Sequence, residues 1–117
     1  MALGRRGEAL ACDFLRAQRF EIVARNYRCR AGEIDVVARD GGSLVFVEVR
    51  SRTGGLRGTG LESVTTRKQA QVARVARHFL AARGWGDHDA RFDVIGIDFA
   101  IEPPRVEHVR SAFEVGG

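Results

Sequence analysis

The stretch GEIDVVARDGGSLVFVEVRSR, residues 32–52, holds two valine-rich runs separated by Asp40-Gly41-Gly42-Ser43. Short β-branched runs of this kind read as strands, and their apolar content reads as burial. Gly41-Gly42 supplies the positive φ that a two-residue primed turn requires, so the stretch is predicted to be a tight antiparallel hairpin. With the two glycines as the loop, Asp40 faces Ser43, and facing residue numbers sum to 83 throughout. That register sets Asp35 against Glu48, Glu33 against Arg50 and Val37 against Phe46. A loop one residue longer or shorter would send the acids to opposite faces.

Facing residues have Cβ atoms ~4.5–5.5 Å apart, and like charges there are destabilising. Buried carboxylates also lose hydration and need something to offset that loss. Asp35 and Glu48 therefore call for a shared proton or a cation. Mg²⁺ suits the second case, because it binds through one or two carboxylates completed by waters and substrate phosphates. The competing reading is an exposed sheet face on which the acids pair with neighbouring arginines. Glu33 fits that reading best, with Arg50 as its partner, and is assigned to structure.

Outward from the hairpin, GRRGEALACDFLRAQRF (4–20) spaces Gly7, Leu10, Ala11, Phe14 and Leu15 as one helical face, which predicts an amphipathic helix over 4–18. Glu8 lies along the line of Ala11, Cys12 and Leu15 and reaches over the sheet; a lone helical Glu is otherwise an ordinary solvated residue. FEIVARNYR (20–28) alternates as a first strand, with Asn26 marking a break near its end. TGGLRGTGLES (53–63) is glycine-rich and aperiodic, which predicts a mobile loop. A long helix follows, capped by Ser63 or Thr65 and ended by Gly84. RFDVIGIDF (91–99) is apolar on both faces and so central in the sheet, with Asp93 assigned to structure. Pro103-Pro104 then precedes RVEHVRSAF (105–113), a last edge strand and the candidate surface for a homodimer. The order αβββαβ implies an α/β fold with a mixed sheet flanked by helices.

The 117 residues make one domain with a real core, and 44% apolar and 29% charged residues are ordinary for a soluble protein. No apolar run reaches the ~18–20 residues of a membrane span, and the N-terminus lacks a secretory profile, so the default location is the cytoplasm. Cys12 and Cys29 have no metal-ligand spacing and read as packing residues. The formal charge of +4 is carried almost wholly by arginine, and Lys68 is the sole lysine. Arginine forks match phosphate oxygens, although a compositional bias of the source genome explains such usage equally well. Lys68 falls in the apolar stripe of Val64, Val72, Val75 and Phe79, near a helix N-terminus where the dipole disfavours cations. A bias toward arginine would have placed arginine there if any cation sufficed.

Gly7-Glu8, Arg25-Asn26, GEID at 32–35, FVEVRSR at 46–52, Lys68 and RFDV at 91–94 together resemble the bacterial YraN-like family. That family is grouped by fold with Holliday-junction resolvase-type, restriction-endonuclease-like nucleases. The resemblance implies the PD-(D/E)XK core, with Asp35 and Glu48 as metal-binding acids and Glu8 as a first-helix acid on the metal or its water. It implies Mg²⁺ or Mn²⁺ as cofactor and DNA as partner. Arg50 stands where this core usually has lysine, and arginine stays protonated, so it cannot serve as a general base. Lys68 resembles a lysine recurring on the family's second helix. Arg52, Arg57 and Arg67, around the site in sequence, are candidates for nucleic-acid contact. The expectation is a metal-dependent DNA endonuclease acting on branched or repair intermediates. The alternative is a module that keeps the nuclease fold without catalysis and binds nucleic acid or a protein.

Overall fold

The computed structural model describes residues 3–53, 64–85 and 89–113. The elements are α1 (Leu3–Ala17), β1 (Glu21–Cys29), β2 (Gly32–Asp40), β3 (Ser43–Arg52), α2 (Thr66–Ala82), β4 (Ala90–Asp98) and β5 (Arg105–Phe113). Residues 54–63, which include Arg57 and nearly all of the expected loop, lie outside the described residues.

The β2–β3 hairpin forms in the predicted register, from Asp40–Ser43 through Val37–Phe46 to Val36–Val47. Of the two turn glycines Gly41 has the positive φ, 61°, which a side chain would resist. The sheet order is β1-β2-β3-β4-β5. Pairing is antiparallel except between β3 and β4, which run parallel and are joined by the α2 crossover. This is the mixed sheet flanked by helices, in the order αβββαβ, that the restriction-endonuclease-like expectation describes, extended by β5 at the edge.

Each face of the sheet carries one core. On the α1 side, Ala11, Cys12, Leu15 and Phe20 pack on Val36, Ala38, Val45, Val47, Ile95 and Ile97. On the α2 side, Val72, Val75, Ala76 and Phe79 pack on Ile34, Val37, Leu44 and Phe46. The central strands are buried on both faces, which is why their sequences read as nearly continuous apolar runs. Both cysteines are free, with Cys12 buried in the α1-side core.

Helix ends follow local chemistry. Thr65 caps α2, its side chain accepting from the Lys68 N–H at 3.2 Å. Gly84, at φ 72°, ends the helix, and the Trp85 N–H returns to the Leu80 carbonyl at 2.8 Å in a Schellman arrangement. Arg19 plays the left-handed part after α1, at φ 71°.

Gly7 sets how closely α1 approaches β3. A Cβ there would lie 1.9 Å from Ser51 Oγ and 3.3 Å from Ser51 Cβ. Gly7→Val is therefore expected to cost about 1–3 kcal/mol of stability, the usual range for overpacking. Urea unfolding checks this, and Ser51→Ala in the same chain should recover part of the loss.

Asp93, aligned with Val47 of β3, is fully buried and anchors β5 to β4. It accepts from Arg91 Nε at 3.0 Å and from the Ser111 N–H at 3.0 Å, and lies 2.8 Å from His108 Nε2. Burial pushes its carboxyl pKa up, but these hydrogen bonds together outweigh burial and hold it below the usual range. The structural assignment of Asp93 is what the geometry shows.

Candidate active site

Asp35 sits where β2 changes face. Ile34 and Val37 belong to the α2-side core, whereas Val36 and Ala38 belong to the α1-side core. Regular alternation would put residues 34, 36 and 38 on one side, so the pleat skips a step at Asp35. β1 skips at the same level, where Asn26 has φ 52°. Asn26 is thus the break expected near the end of the strand, and β1 runs on past it to Cys29.

The β2–β3 pairs end at Val36–Val47, one step short of Asp35. Beyond that point Asp35 Oδ2 accepts the Val49 N–H at 2.8 Å. A side-chain carboxylate thus stands in for a ladder carbonyl, the strands part, and the direct Asp35–Glu48 pair expected from the register does not form. The acids remain electrostatic neighbours. The Glu48 pKa is pushed up to about 7, by burial first and by the Asp35 charge second, against the Lys68 and Arg50 charges. Asp35 is also raised, again by burial first, partly offset by the Val49 N–H, with Glu8 and Glu33 adding to the rise.

Two cations from different elements face Glu48, which is 4% exposed. Arg50 Nη2 and Lys68 Nζ each lie 3.8 Å from Glu48 Oε2. Lys68 Nζ also donates to Gln71 Oε1 at 3.3 Å. Gln71 in turn rests on Gly32, where φ is 142° and a Cβ would meet Gln71 Nε2 at 2.7 Å. Gly32 therefore admits the side chain that holds Lys68. Sequence reasoning missed Gln71; its signal was the i, i+3 spacing from Lys68, which puts the two on neighbouring turns of one helix face.

Glu8, half-buried on α1 beside Gly7, lines an open cleft of about 580 Å³ with Gly4, Arg5, Asn26, Arg28 and Glu33. Glu33 pairs with Arg28, its cross-strand neighbour on β1, and not with Arg50 as expected. The reason is the early end of the β2–β3 ladder, which leaves Glu33 only its β1 partner. Arg52 closes the end of β3, aligned with Asp98 of β4. Arg67 is exposed next to Lys68 at the start of α2.

Among the described residues no three His, Cys, Asp or Glu side chains are grouped to hold a metal ion. The arrangement is a two-carboxylate one. An all-oxygen donor pair fits a hard cation such as Mg²⁺ or Mn²⁺, which takes its remaining ligands from water and phosphate. A cation there would relieve the burial and repulsion that raise both acids.

The model of the Uncharacterised protein family UPF0102 matches residues 7–97. The chain belongs to the UPF0102 family. This is the family to which the YraN-like resemblance pointed. UPF0102 relatives extend over nearly the whole chain. One from Geobacter metallireducens is 48% identical over 114 residues, covering 97% of this chain and 93% of its own. One from Frankia casuarinae is 46% identical over 113 residues, 96% of each chain. Among solved structures, a chain of the EndoMS–dsDNA2 complex is similar at 20% identity and TM-score 0.46, over 79% of this chain. The UPF0102 chain spans 35% of that chain's length. The span matched by the UPF0102 model contains Glu8, Asp35, Glu48, Arg50, Lys68 and Gln71 and leaves out β5.

Proposed function

We propose that this UPF0102 protein is a Mg²⁺- or Mn²⁺-dependent DNA endonuclease that hydrolyses phosphodiester bonds, with branched or repair intermediates as substrates. The observation that carries the reading is the meeting of half-buried Asp35 and buried Glu48 with Lys68, which arrives from a separate helix. Two acids whose pKa values are both raised, by burial first, at the parting of two strands are costly to hold, and that cost is offset when a cation binds.

Asp35 and Glu48 would hold the cation, and Glu8 would act from α1 on a water at its edge. When bound, the divalent ion supplies charge stabilisation for a phosphoryl oxygen and lowers the pKa of an attacking water. The chain's own groups do the remainder. Lys68, held by Gln71, keeps an ammonium against Glu48 and beside the position of the scissile phosphate. Arg50 stays protonated and binds phosphate oxygens. Arg52 and Arg67 extend that contact along the strand.

Arg50 at the usual lysine position favours the other reading, a non-catalytic module on the same fold. Cleavage of branched, duplex and single-stranded DNA separates the two. Wild-type protein should cleave at least one of these with Mg²⁺ or Mn²⁺ and none in EDTA, and Asp35→Ala and Glu48→Ala should not cleave. Equal activity in all three proteins, or activity that survives EDTA, would sink the nuclease reading.

A further inference from the structure

The formal charge of the whole chain is +4, from 19 basic and 15 acidic residues. Helix α2 carries Arg67, Lys68, Arg74 and Arg77 and no carboxylate. The remaining fifteen basic and fifteen acidic residues cancel, so the net charge of the protein resides on this helix. Lys68 turns inward to Glu48. Arg67, Arg74 and Arg77 are exposed on the side opposite the buried Val72, Val75, Ala76 and Phe79.

Neither folding nor the helix dipole accounts for these charges. Arg67 sits in the first turn, where no acid offsets it and where cations are disfavoured. Several arginines on the sheet and on α1 have carboxylate partners: Arg16 with Asp13, Arg28 with Glu33, Arg39 with Glu21, Arg91 with Asp93 and Asp40. Among the described residues, none of Arg67, Arg74 and Arg77 forms an ion pair. The stripe is also rigidly mounted. Tyr27 of β1 meets His78 Nδ1 at 2.9 Å, and Gln71 is seated on Gly32.

We infer that the exposed arginine stripe of α2 is a docking surface for the sugar–phosphate backbone of duplex DNA, with a duplex arm lying along the helix and leading to Lys68. The inference rests on the proposed action on DNA and names the form of DNA held beside the site. Arg67 to Arg77 covers about 15 Å at 1.5 Å per residue. A stiff row of that length matches a stiff polyanion with a charge every ~1.7 Å of axis. Single strands are instead held by aromatic platforms on which bases stack. Among the described residues the large exposed hydrophobic side chain is Ile101, and no Phe, Tyr or Trp is exposed in that way.

The test is fluorescence anisotropy in EDTA with a labelled duplex of about 20 base pairs, two helical turns, over a range of KCl. EDTA removes cleavage, so binding and catalysis fail independently: a protein that docks the duplex but cleaves nothing retains this inference and loses the nuclease reading. Arg74→Ala/Arg77→Ala should lower the slope of log Kobs against log[KCl] by about 1.8, for two phosphate contacts at ~0.9 each. Arg16→Ala/Arg105→Ala removes the same charge from other faces and should leave the slope unchanged. Alanine is a strong helix former, so the α2 variant should keep its fold, checked by circular dichroism. An unchanged slope in the α2 variant, or an equal fall in both variants, overturns the inference. Equal losses for a single strand, or tighter binding of duplex RNA than of duplex DNA, overturn its assignment to duplex DNA.

Discussion

Glu48→Gln should reduce Mn²⁺-dependent DNA cleavage by about 10³-fold or more while the protein stays folded. The substitution keeps the shape of the side chain and removes one of the two charges available to a cation. A divalent ion contributes several kcal/mol of transition-state stabilisation, and each ~1.36 kcal/mol is tenfold in rate. Loss of about 4 kcal/mol of that contribution gives the predicted factor. Asp35→Asn should fall as far, because the amide oxygen can still accept the Val49 N–H and the strand opening survives. Initial rates under saturating Mn²⁺, with near-UV circular dichroism as the fold control, provide the check. A variant keeping more than about a tenth of wild-type activity would remove Glu48 from the catalytic centre.

The same variant should be more stable than wild type at pH 8 and equal to it near pH 4. The Glu48 pKa is about 7 in the native protein against an ordinary 4.5. Across that interval the unfolded chain releases the proton while the native chain keeps it. Native stability therefore falls as pH rises from about 4.5 to about 7 and stays at the lower level above it. Asp35, shifted in the same direction, adds to the fall. The full cost of the Glu48 shift is on the order of 3 kcal/mol at ~1.36 kcal/mol per pH unit, and Glu48→Gln removes it. Lys68 and Arg50 lose a counter-charge in the variant, but their side chains are 29% and 36% exposed, so water compensates in part. Thermal unfolding without divalent ions at pH 4 and pH 8 checks the sign. Added Mn²⁺ should raise the wild-type Tm at pH 8 and leave the variant unmoved.

Much of this was legible in the hairpin. Asp40-Gly41-Gly42-Ser43 determined the turn, the turn determined the register, and the register brought Asp35 and Glu48 to one end of adjacent strands. The periodicity of α2 likewise placed Lys68 inward, because a cation on an apolar stripe has to reach something polar. What the pattern did not contain was the parting of the strands. Counting residues assumes that every pair continues the ladder, whereas the Asp35 carboxylate captures the Val49 N–H and ends it. From that follows the exchange of Arg50 for Arg28 as the partner of Glu33. Gln71 and Gly32 were invisible for a different reason. Their relation is a contact between a helix and a strand edge far apart in sequence, and neither residue type carries a titratable signal. The charge of α2 was present in the composition but became meaningful only when the helix proved to present Arg67, Arg74 and Arg77 on its exposed side.

The central claim is that Asp35 and Glu48 form one divalent-cation site. Calorimetric titration of Mn²⁺ into wild-type, Asp35→Asn and Glu48→Gln proteins at pH 7 tests it most directly. The wild type should bind saturably, with a heat that varies with the ionisation enthalpy of the buffer because the ion displaces the Glu48 proton. Both variants should bind at least about tenfold more weakly, a loss of ~1.4 kcal/mol or more. Absence of binding to the wild type, or equal affinity in all three proteins, would contradict it.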